Sequence, residues 1–172
     1  MSLRSILKLS VNGALALAAM ACMQTAAQGS DAVLKAAEVQ KLLPAAVYYK
    51  GQSAPVQARN SGGVKFADGY YALASLVDTS GYSTGVAAKY QGCFIAESPI
   101  KIGNKSLPAG IYGFGFIAGN KFVITDVGAH DVLTVDTAGD DGMKRPMPLQ
   151  MLADAGGGFR LYAGRRYVHF SR

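Results

Sequence analysis

The 172-residue sequence predicts a mostly β fold: a small antiparallel β-barrel or sandwich with one N-terminal amphipathic helix. Three observations predict it. Short runs rich in Val, Ile, Tyr and Phe recur along the chain, the composition that pleated, half-buried segments select. Three pairs of such runs flank tight bends at Asp68-Gly69, Gly119-Asn120 and Gly164-Arg165, where residues tolerant of positive φ allow a hairpin. The 21 glycines and nine tyrosines are distributed without a repeat, which excludes a propeller or solenoid.

In chain order, Arg4 and Lys8 precede a run of roughly a dozen mostly apolar residues, Leu9 to Met20, and small residues follow at Ala21, Ala26 and Ala27. This order predicts a signal peptide over residues 1–27 with cleavage before Gln28, and a periplasmic or secreted protein. The alternative is a lipid anchor through Cys22. Ala19-Met20-Ala21-Cys22 partly matches a bacterial lipoprotein box, with Ala19 and Met20 where Leu and a small residue usually stand. No later stretch approaches the ~20 apolar residues of a membrane-spanning helix. Residues 28–172 are expected to form a single β-rich domain. With Cys93 its only thiol after cleavage, that domain relies on packing and not on a disulfide. Part of the formal charge of +6 leaves with the signal segment. The remaining basic residues are scattered, so no nucleic-acid partner is expected.

Residues 31–43 predict the helix, ended by Pro44 and capped by Ser30 or Asp31, with Ala32, Ala36, Val39 and Leu43 on its apolar stripe. Strands are expected from Val47 onward. Val47–Lys50 and Val56–Arg59 come first, with turns at 51–53 and 60–63. The Asp68-Gly69 bend pairs Ala67 with Tyr70, setting Phe66 opposite Tyr71 and Val64 opposite Leu73. After a Ser/Thr/Gly loop at 78–85, Tyr90–Glu97 is a strand, then Ile100–Ile102.

The longest continuous signal follows, where Ile111–Ala118 and Lys121–Val127 flank Gly119-Asn120. A two-residue turn there sets Ile117 opposite Phe122 and Phe116 opposite Val123. Gly113 and Gly115 mark close approach of a neighbouring backbone or ring, or a bend at a barrel corner. Asp131–Asp136 is a strand, 137–148 a long loop, and Leu149–Leu152 another strand. The Gly164-Arg165 bend places Phe159, Leu161, Val168 and Phe170 on one face and Arg160, Tyr162, Tyr167 and His169 on the wetter one.

Candidate chemistry is sparse. The side chains best placed to wall an apolar cavity, and so to bind a small apolar molecule, are Phe66, Tyr71, Tyr112, Phe114 and Phe116; the same rings would equally fill a solid core. His130, near Asp126 and Asp131, is the alternative, a hydrolase-like acid-base site, against which the ordinary reading is a turn histidine. No second nitrogen or thiolate stands near it, so no metal is expected. Asp136, Asp140 and Asp141 lack the spacing of a calcium loop. No Gly-x-Ser-x-Gly elbow or phosphate-binding glycine loop occurs, so no catalytic residue and no cofactor are assigned. The absence of Trp lowers the case for a carbohydrate platform.

Leu107-Pro108-Ala109-Gly110-Ile111-Tyr112 resembles a segment of several families of uncharacterised exported bacterial β-domains, in which Leu-Pro-Ala-Gly leads a Tyr into the sheet. The resemblance covers that hairpin alone. It implies an exported setting and a β-sandwich or barrel, and it implies no activity. Together these readings predict an exported envelope or secreted β-domain that is a binding or structural module, with the hydrolase as the alternative.

Overall fold

The computed structural model describes residues 29–172, so the expected signal segment, its expected cleavage site and Cys22 lie outside the described residues. The first part of the described chain contributes β1 (Ala32–Val33), α1 (Ala36–Leu42), β2 (Ala46–Tyr49), β3 (Gln52–Lys65), β4 (Tyr71–Val77), α2 (Thr84–Ala87) and β5 (Gly92–Ala96). Then come β6 (Ile100–Ile102), β7 (Lys105–Leu107), β8 (Gly110–Ile117), β9 (Lys121–Thr125) and β10 (Asp131–Asp136). The chain ends with β11 (Ala138–Gly139), β12 (Gln150–Ala153), β13 (Phe159–Ala163) and β14 (Arg166–Ser171).

These strands form two antiparallel sheets. The larger has the order β1-β3-β4-β5-β8-β9-β10 with β2 also paired to β3, and the smaller the order β12-β13-β14-β6-β7 with β11 also paired to β14. Neither sheet closes on itself among the described residues. A single cluster of buried side chains is drawn from both, with Phe94, Phe114, Phe116, Phe122 and Ile124 from the larger and Ile102, Phe159, Leu161, Val168 and Phe170 from the smaller. Its rings touch in sequence: Phe116 to Phe122 at 4.9 Å between centroids, Phe114 to Phe122 at 5.7 Å and Phe159 to Phe170 at 5.5 Å.

The sheets also meet at their margins. A Cβ at Gly62 on β3 would stand 2.6 Å from the Met151 backbone nitrogen on β12, so only glycine allows that approach. On the opposite margin, the Gly103 bend between β6 and β7 lies against Val135 of β10.

The third hairpin has the predicted register, with Phe159 opposite Phe170, Leu161 opposite Val168 and Tyr162 opposite Tyr167. The other two are displaced by one residue. Phe116 pairs with Phe122 and Ile117 with Lys121, because the bend holds three residues, Ala118, Gly119 and Asn120, with Gly119 at φ +71° and Asn120 at φ +54°. Likewise Lys65 pairs with Tyr71 and Val64 with Ala72, around Ala67, Asp68 and a Gly69 at φ +95°. The reason is energetic. Burying a Phe side chain is worth roughly 1.5–3 kcal/mol, whereas a cross-strand pair is worth roughly 0.2–1 kcal/mol. The register that brings Phe122 and Ile124 onto the face of Phe114 and Phe116 therefore wins.

Three further expectations are corrected. The helix is Ala36–Leu42, not 31–43: Ala32–Val33 pair with Val64–Lys65 as a strand, and the Asp31 carboxylate accepts the Ala67 amide at 2.8 Å instead of capping the helix. Of the predicted stripe only Val39 is buried, set against Gly63, which leaves room for it, while Glu38 closes the helix start on the Lys35 amide at 2.8 Å. Residues 60–63 do not turn. β3 runs through them with a bulge between Gln57 and Ser61, and Gly62 and Gly63 serve close packing and not reversal. Finally, the 137–148 loop is tied down by β11 on β14 and by the Gly164 amide bonding the Met147 carbonyl at 3.0 Å.

Candidate functional site

The larger sheet has a second buried cluster on the face turned away from the shared core. Strand alternation puts Phe94, Phe114 and Ile124 inward, which sends Cys93 of β5, Gly113 of β8 and Thr125 of β9 outward as cross-strand neighbours in one row, with Ser75 beside Cys93. Gly113 and Gly115 leave a floor without side chains along β8. A Cβ at Gly113 would lie 2.5 Å from Tyr49 Cε2 and 2.9 Å from Tyr90 Cδ2, and one at Gly115 would collide with the Lys89 carbonyl. Two rings and a crossing backbone occupy the space those glycines leave.

Tyr49 reaches this floor from β2 and Tyr90 from the segment that follows β4. Their rings are parallel, 6° apart with centroids at 3.6 Å, and Tyr82 meets both edge-on at 5.9 and 5.3 Å. The Tyr49 hydroxyl shares a 2.8 Å hydrogen bond with Thr125 Oγ1, and the Tyr82 hydroxyl donates to the Tyr49 carbonyl at 3.0 Å. Tyr90 is fully buried and its hydroxyl has no hydrogen-bond partner among the described residues. Burial raises the pKa of all three phenols and pushes the Cys93 thiol up to about 11. Neither thiolate nor phenolate chemistry is favoured there. The arrangement is a filled stack of phenol rings over a glycine floor, tied at one end by the hydrogen bond between Tyr49 and Thr125.

Of the five residues predicted to line a cavity, Phe66, Phe114 and Phe116 lie in the shared core with Tyr112 packed against it, Tyr71 does not, and no cavity lies among the described residues. Tyr71 pairs with Lys65 on the opposite face, its ring 6.0 Å below the Lys65 ammonium. Tyr112 is half-buried at the end of β8 and donates to the Pro108 carbonyl at 3.0 Å.

Asp126 and His130 close the β9–β10 connection. The Asp126 carboxylate accepts the amides of Gly128 at 2.8 Å and His130 at 2.9 Å, and contacts His130 Nδ1 at 3.0 Å. These bonds, those from His130 first, hold the Asp126 carboxyl below its ordinary pKa. Asp131 pairs instead with Lys89 at 2.7 Å. The group thus spends its hydrogen-bonding capacity on the turn, and His130 projects with 82% of its side chain exposed.

On the wetter face of the last hairpin, Arg160 binds Asp154 at 2.8 Å and lies 4.4 Å over the Tyr167 ring, while His169 Nε2 contacts the Gly157 carbonyl at 2.8 Å. Both contacts fasten the Asp154–Gly158 bend. Asp136 pairs with Lys121 at 2.5 Å and Asp140 accepts from the Tyr162 hydroxyl at 3.0 Å; no group of three metal-ligating side chains occurs among the described residues.

The tyrosine stack was not legible as a site. Its rings come from positions 49, 82 and 90, and no local pattern links them. The one local signal was the pair of alternating glycines at 113 and 115, for which one expected role, admitting a neighbouring ring or backbone, is the role they have. Comparison with family models, curated proteins and solved structures returned no match.

Proposed function

We propose that this chain is an exported envelope or secreted β-domain that works as a binding module for a small, flat, apolar or aromatic molecule. The architecture that fits is a β-sandwich with α1 as a small lid on its outer face. The observation that carries the reading is the Gly113–Gly115 floor, a strip of sheet kept free of side chains and filled by stacked phenol rings, with Thr125 supplying a hydrogen bond. A ligand between the sheets is disfavoured, since the phenylalanines there touch one another. Export rests on the N-terminal pattern of Arg4, Lys8 and the apolar run that follows.

Native mass spectrometry of the protein taken from its host tests this reading. The expected result is a chain beginning near Gln28, or lipid-modified at Cys22, with a co-purifying molecule of a few hundred daltons that dissociates on unfolding. A full-length chain recovered from the cytoplasm with nothing bound would contradict both halves.

A further inference from the structure

We infer that residues 79–90 form a strap that lifts from the larger sheet as a unit while both sheets stay folded, baring the face of Tyr49 that Tyr90 covers. This rests on the binding reading for its purpose but not for its occurrence. The strap runs between two fixed points. At one end the Asp78 amide bonds the Pro55 carbonyl at 2.9 Å. At the other, Gln91 bonds the Phe114 carbonyl through its own amide at 2.8 Å, and its side chain bridges to both backbone groups of Phe116.

Between these anchors, every backbone–backbone hydrogen bond is internal: Tyr82 to Thr79, Val86 and Ala87 to Ser83, Ala88 to Thr84, Lys89 and Tyr90 to Val86. Lifting the strap breaks no sheet hydrogen bond. The links that must break are the Lys89–Asp131 ion pair, the Gln52 amide to the Gly81 carbonyl at 3.1 Å, and the Tyr82 hydroxyl to the Tyr49 and Gln52 carbonyls. α2 buries no side chain, so the apolar hold comes from Tyr90, assisted by the half-buried Tyr82 and Val86. Tyr90 holds it imperfectly, because its hydroxyl is buried without a partner among the described residues. Segments with few buried contacts and local hydrogen bonds open below the global unfolding free energy.

Cys93 lies in the same buried cluster as Tyr90 and reports the motion. The mature protein is incubated with an aromatic disulfide reagent across sub-denaturing urea, and modification of the Cys93 peptide is followed by mass spectrometry, with and without millimolar p-cresol. The expected labelling rate has a urea slope well below that of global unfolding. Lys89→Ala is expected to raise that rate roughly two- to fivefold, the worth of an exposed ion pair, with the global midpoint unchanged. A slope equal to that of global unfolding, or a Lys89→Ala rate unchanged in native buffer, overturns the strap. Protection of Cys93 by p-cresol supports the binding reading, and shallow-slope labelling without protection overturns that reading while leaving the strap intact.

Discussion

At Gly113 the larger sheet's outer face has no room for a methyl group, with Tyr49, Thr125 and Tyr90 all within 2.9 Å of where one would stand. Gly113→Ala is therefore expected to displace the stacked rings and to cost about 1–3 kcal/mol, the usual range for overpacking. Urea unfolding checks this, and a change under about 0.5 kcal/mol would mean that the rings do not rest there. At the β9–β10 connection, Asp126 and His130 are expected to part company. Asp126→Ala removes the acceptor of two backbone amides and lowers the thermal midpoint, whereas His130→Ala trims an exposed side chain and leaves it in place. Equal losses from the two would show that the imidazole contact secures the turn as much as the backbone amides do. Which residues would be inward was readable where alternation alone decides, as at Leu161 and Phe159. It was not readable at Tyr90, whose partner Tyr49 is fixed by the path of two connections and not by any spacing in the chain.

The last hairpin was legible in register because its Gly164-Arg165 bend has two members and both strands alternate cleanly, although Tyr162, expected on the wetter face, is buried. The other two were legible as hairpins but not in register. A small residue before the bend, Ala67 or Ala118, can end a strand or join the loop, and sequence does not distinguish the two. The one-residue difference moves Phe122 and Ile124 onto the face of Phe114 and Phe116, where these rings form the solid core that the sequence left open beside a cavity. Gly62-Gly63 was misread for a related reason: glycine marks a reversal or a close approach, and here β12 supplies the approach at Gly62 and the side chains of Leu73 and Val39 that at Gly63. Gly62→Val is accordingly expected to prise β12 from β3. Proteolysis within 137–158 should become faster and the unfolding midpoint should fall, whereas Gly139→Ala, with open space around its Cα, should change neither. Equal effects of the two would remove the sheet-to-sheet contact from the account.

Across the whole molecule, the carboxylates of Asp68, Asp126 and Asp154 have native pKa values below the ordinary 3.8, held down chiefly by the Arg172 contact, the His130 bonds and the Arg160 contact respectively. A group whose pKa falls on folding contributes stability above its unfolded pKa and loses it as pH drops through the native value. Urea midpoints should thus decline as pH falls below the ordinary 3.8, and Asp154→Asn should flatten that decline; a midpoint constant down to pH ~2 would contradict it.

The larger claim is that two separate sheets close over one filled aromatic core. Proton–proton Overhauser contacts in labelled protein test it most directly. A contact is expected between the Met151 amide and the Gly62 α-protons, joining β12 to β3, together with ring contacts between Phe114 and Phe122. A spectrum in which Phe122 instead contacts Ile117 directly across the strands, with no signal between Gly62 and Met151, would contradict both the register and the closure of the sheets.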